Sequence, residues 1–92
     1  MIMLDRRLLK LVEARVEKID ENPELLGDAR VQAGRYSHEL QRQEWAKLLS
    51  LPWPQLRTVL LDETDEGERI RQSVPFGGFL NSEERMRVIG SL

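Results

Sequence analysis

The chain has no cysteine among its 92 residues. Disulfide cross-links and thiolate metal sites are thereby excluded, and nothing in the composition calls for an oxidising compartment. Histidine occurs once, as His38, beside the unremarkable Glu39 and Glu44. A lone imidazole on a charged helix reads as a solvent-facing or capping group, so no metal or other cofactor is expected.

Long apolar runs are missing as well. No stretch approaches the roughly eighteen apolar residues that span a bilayer. Asp5, Arg6, Arg7 and Lys10 interrupt the first apolar residues before a leader sequence could form. The expected location is the cytoplasm. Charge of one sign is not in excess either: 14 basic side chains face 16 acidic ones, for a net −2. A dedicated nucleic-acid binder concentrates basic residues to displace counterions from phosphates, which this balance does not favour.

What is present is helical patterning. Leu4, Leu8, Val12, Val16 and Ile19 recur at steps of four and three, giving an amphipathic first helix over about 4–19. Asn22-Pro23-Glu24 follows as a stop and a start, with Asn22 as N-cap and Pro23 at the first helical position. So short a connection folds the next helix back antiparallel. Leu26, Ala29, Ala33, Tyr36 and Leu40 form a heptad seam, which predicts one long helix to about Ser50. A break near Gly34 to Ser37, with Ser37 restarting the helix, is the alternative.

Pro52 and Pro54 end that helix, and Pro54 opens a third over about 54–62 with Leu56, Val59 and Leu60 inward. Thr64 and the acids after it predict an N-cap and an acidic first turn for a fourth helix, about 65–73, burying Ile70 and Val74. Asn81 or Ser82 opens a last helix that places Met86 and Ile89 inward before Gly90. No strand pattern and no repeat appear. The expected fold is all-α, one domain over 1–92: a long antiparallel hairpin (about 4–50) and three short helices (about 54–90) in a small bundle.

From Trp45 through Pro54, Gly67 to Gln72 and Pro75 to Leu80 as far as Glu84-Arg85, the second half resembles short bacterial proteins. Its most specific piece is Arg71-Gln72-Ser73-Val74-Pro75-Phe76. The resemblance implies a bacterial origin and carries no site residue.

Catalytic patterns fail on inspection. The acidic run from Asp62 to Glu68 loosely fits the first positions of a calcium loop, but the twelfth is Ser73 where a bidentate glutamate is needed. Ser37 and His38 are consecutive, so on a helix their side chains diverge by about 100°. Gly77-Gly78 lacks the phosphate-loop pattern. A non-enzymatic helical interaction protein is the expectation, a small regulator or antitoxin-like partner that binds another protein or itself.

Aromatic side chains make up 5% of the chain. Three of them, Trp53, Phe76 and Phe79, sit in two proline- and glycine-marked turns, joined by Leu80. Two readings stand side by side: these side chains plug the open end of the hairpin, or they form a partner-binding surface, where aromatics dominate hot spots. A DNA-binding regulator would instead use Arg69, Arg71, Arg85 and Arg87, pairs that straddle Ile70 and Met86. A small hydrolase would use paired carboxylates in a pocket that raises their pKa values.

Overall fold

The computed structural model describes residues 6–90, which form six α-helices and no strand. These are α1 (Arg6–Glu21), α2 (Leu25–Gly34), α3 (Glu39–Leu48), α4 (Trp53–Leu60), α5 (Asp65–Arg71) and α6 (Ser82–Gly90). Leu4, the first expected stripe residue, lies outside the described residues.

The α1 stripe is realised: Val12, Val16 and Ile19 are fully buried. Helix α1 is the common neighbour of α2, α5 and α6, so three partners share its apolar face. Against that face lie Ala29 and Ala33 of α2, Trp45 of α3, Leu56 and Leu60 of α4, Ile70 of α5, and the loop residues Phe76 and Phe79. This is one continuous cluster.

The single long helix to Ser50 is not formed. The chain leaves α2 at Gly34 and restarts at Glu39, with His38 extended at φ −85°, ψ 119°. Arg42 reaches back across the break and donates to the Tyr36 carbonyl (2.6 Å) and the Ser37 carbonyl (3.3 Å). Two backbone acceptors freed by the break are thus satisfied from the next helix. The break also resets the helical phase. Trp45 and Leu49 turn inward, while Leu40, expected on the seam, is 70% exposed. Entry to α2 differs too. Leu25, Leu26 and Gly27 donate to the carbonyls of Asn22, Pro23 and Glu24, a tight turn in place of an Asn22 side-chain cap.

Helix α4 begins one residue before the expected Pro54, on Trp53, with Leu56 and Leu60 buried. Helix α5 starts as expected: the Thr64 hydroxyl accepts from the Gly67 N–H at 3.3 Å. Asp62 turns on itself, its carboxylate accepting from the Thr64 N–H at 3.0 Å. The acidic run thus organises a helix start. Asn81 and Glu84 form a reciprocal capping box at α6, with bonds of 2.8 and 3.1 Å.

Met86 is a second departure, at 71% exposure. Helix α6 meets α1 through Glu84, which bonds Lys18, and through half-buried Val88 one turn later. Met86 lies two residues from Glu84, about 200° around the helix, and so faces away.

Two glycines are required by geometry. Gly78 has φ +82°, a left-handed conformation that lets the Pro75–Leu80 loop fold its rings inward. Gly67 sits against the carbonyl of Asp62, where an added methyl would overlap backbone. Gly67→Ala should therefore lower stability by about 1–3 kcal/mol. Gly27 is helical and meets nothing, so Gly27→Ala should raise stability by up to about 1 kcal/mol. Urea unfolding followed by tryptophan fluorescence reads both, and opposite signs are the expected result.

Candidate functional site

Helices α2 and α3 pack beside each other on either side of the break. Their contact is built from small residues, and small side chains leave space. Ala33 and Gly34 from α2, with Ala46 and Leu49 from α3, line a groove of about 290 Å³ that ends at Ser50. Ala33 and Leu49 form its buried floor, and Gly34 and Ala46 are exposed along it.

Arg30 and Arg42 rim this groove. Arg30 donates to the Leu49 carbonyl at 3.4 Å, a long contact. Arg42 is anchored by the two carbonyls of the helix break. Among the described residues neither guanidinium meets a carboxylate. Both are hydrogen-bonded to neutral acceptors, so their positive charge is uncompensated. The two helices and their connection carry a slight excess of the same sign: Arg30, Arg35, Arg42 and Lys47 against Asp28, Glu39 and Glu44.

A larger depression, about 540 Å³, lies between α3 and α5, lined by His38, Leu40, Gln41, Glu44, Arg69 and Ser73. Its cation is already neutralised. Arg69 lies between Glu44 at 2.7 Å and Glu66 at 2.5 Å. The hydrogen bonds that Arg69 donates to Glu66 and then to Glu44 hold it above its ordinary range, and Arg69 in turn pulls Glu66 down. With its strongest donor committed to two carboxylates, this depression offers a ligand little charge.

The residues singled out from sequence fall into different settings. Phe76 is fully buried, with Phe79 stacked on it at 5.2 Å and Trp45 edge-on at 6.5 Å. Phe79 and Leu80 are 8% and 7% exposed, so the apolar loop closes the core of its own chain. Trp53 is half-buried, its indole N–H donating to the Asp20 carboxylate at 2.7 Å, which also receives Arg57 at 3.2 Å.

The four arginines do not converge. Arg69 is held between α3 and α5, as above. Arg71 is 4% exposed and donates to the Leu60 carbonyl at 3.0 Å and to that of Asp62, closing the end of α4. Arg85 stands near Arg15, whose Nε is buried without a hydrogen-bond partner. Burial first, and then the Arg85 charge, lowers the Arg15 pKa. Arg87 has a distant contact with Glu83, at 3.8 Å, and its charge also acts on Glu84.

The carboxyls whose acidity moves go downward. Lys18 at 2.5 Å, then the Asn81 backbone, hold Glu84 below its usual range, as Arg69 does Glu66. This is ion pairing, opposite to the raised value a general acid needs.

The groove itself was not singled out from sequence. Its signal is there in Ala33-Gly34 and Ala46, small residues that a two-helix contact brings together. One continuous helix would have separated them by about 18 Å. No family model matches the chain, nor does any curated protein or solved structure.

Glu84 gives a pH test. Its folded-state pKa is depressed, so its contribution is present above the ordinary carboxyl range and lost as pH falls through the folded value. Glu84→Gln should flatten the acid-side loss of thermal stability between about pH 5 and pH 3. The contribution is small because the pair is solvent-screened. Melting temperature against pH for both proteins is the measurement.

Proposed function

We propose that this protein acts by binding, as a helical interaction module that receives a segment of a partner protein in the α2–α3 groove. One observation carries the reading: an apolar groove lined by Leu49 and three small residues is bordered by two arginines that have no acidic partner among the described residues. Small floor residues let a partner approach closely, and arginine is enriched at interface centres. The aromatic loop contributes indirectly, by completing the core on which α2 and α3 rest. Trp53 is the one member of that aromatic set with substantial surface left for contact.

A photo-crosslinking amino acid tests this reading when placed at Ala46 in the groove and, separately, at exposed Glu83 on α6. A discrete protein adduct from native extract is expected at position 46, absent at 83, and lost when Gly34→Leu fills the groove. The same adducts at both positions, or an adduct indifferent to Gly34→Leu, would reject the groove as the docking surface. Gly34 is helical with open space beyond its Cα, so leucine there should leave folding intact.

A further inference from the structure

The chemistry of the groove also specifies its occupant. Resting on the docking role just described, we propose that the groove binds an acidic amphipathic helix from a partner protein, apolar side chains down and carboxylates at the rim.

The chain as a whole is at net −2, yet α2, α3 and their connection carry four cations against three acids. These acids do not compensate the rim. Glu44 is committed to Arg69, and Glu39 accepts from Gln43 at 3.4 Å, one turn along α3. Among the described residues, Arg30 and Arg42 donate only to backbone carbonyls. Guanidinium groups have five donors in a planar fork matched to carboxylates, so both keep donors for a bidentate anion.

Shape limits the partner further. Helices α2 and α3 have ten residues each, about 15 Å of length. That length seats two to three turns of a helix, presenting apolar residues at i, i+3 and i+4. Ala33, Gly34 and Ala46 along the groove remove the side chains that ordinarily keep helices about 8–10 Å apart. An extended strand would find no unpaired sheet edge here, because the described residues contain no strand. A basic helix would meet Arg30 and Arg42 as like charges, which costs affinity at a desolvated rim.

The probe is a fluorescein-labelled, hydrocarbon-stapled peptide of about 14 residues, or roughly 21 Å, with a leucine and alanine face and glutamates opposite. A second peptide carries lysine in place of each glutamate. Fluorescence anisotropy with the full chain should show the acidic peptide binding at least about tenfold tighter than the basic one. Arg30→Glu with Arg42→Glu should reverse that preference, and raising salt from about 0.05 to about 0.5 M should weaken the acidic complex. Gly34→Leu and, independently, Ala46→Leu should abolish it, with far-UV circular dichroism and melting temperature confirming that each variant is folded.

Failure separates the two claims. Equal binding of both peptides that is lost in Gly34→Leu overturns the acidic partner and leaves the groove. Acidic-peptide binding that survives both filling variants overturns the groove as well. No binding of either peptide overturns the proposal of an acidic helix. Concentration-dependent dimers in light scattering, abolished by Gly34→Leu, would assign the groove to a second copy of the chain instead. Adhesion to phosphatidylserine vesicles abolished by the same variant would assign it to an anionic membrane surface.

Discussion

The fold depends on burying Trp45 without stranding its indole N–H. That ring is fully buried, and its N–H donates to the Ser73 hydroxyl at 2.9 Å. A buried donor without an acceptor would cost about 1–3 kcal/mol. Ser73 also presents its carbonyl to the Tyr36 hydroxyl at 2.5 Å, and burial pushes that phenol up. One loop residue therefore receives a ring from within the α2–α3 break and another from α3. Phe76, three residues on, then closes edge-on over Trp45. A continuous helix through 34–38 would fix Tyr36 and Trp45 in a single helical phase. The break releases that constraint, and Arg42 satisfies the carbonyls it frees.

The same break creates the surface on which function is proposed. It folds α3 against α2, bringing Ala33 and Gly34 alongside Ala46 and fixing Arg42 at the rim. Several charged side chains elsewhere answer one another: Lys18 with Glu84, Arg57 with Asp20, Arg69 with Glu44 and Glu66. Exposed pairs of this kind add little stability individually. They do remove charge that could attract a ligand, charge that the two arginines of the α2–α3 rim keep.

Local rules make much of the helix inventory legible in the amino-acid sequence. The Val12, Val16 and Ile19 stripe, the Thr64 cap, the Asn81 cap and the proline boundary before α4 each depend on residues within about one turn. The all-α class follows from them. What is not legible depends on partners distant in sequence. Leu40 and Met86 carry apolar side chains at helical spacing, and only the neighbouring helices decide which face is covered. Arg71 reads as a surface cation beside Ile70, yet it is buried because the end of α4 offers it two carbonyls. Gln32 is similar: its amide both donates to and accepts from Gly77, 45 residues away, at 2.8 Å each. The groove belongs to this second class: the sequence leaves one long helix and a break near Gly34 to Ser37 both open, and only the packing of α3 on α2 brings the small residues together.

The spacing of the Trp45–Ser73 bond has a consequence for biosynthesis. The two residues are 28 apart, and Phe76 follows later still. At translation rates of about 5–20 residues per second, the indole is made roughly one to six seconds before its acceptor. During that interval α1 to α3 can be helical, but their shared apolar faces lack the lid that excludes water. The apolar faces of α1 to α3 therefore stay open to water until the Pro75–Leu80 loop docks, so closure of the core follows synthesis of that loop.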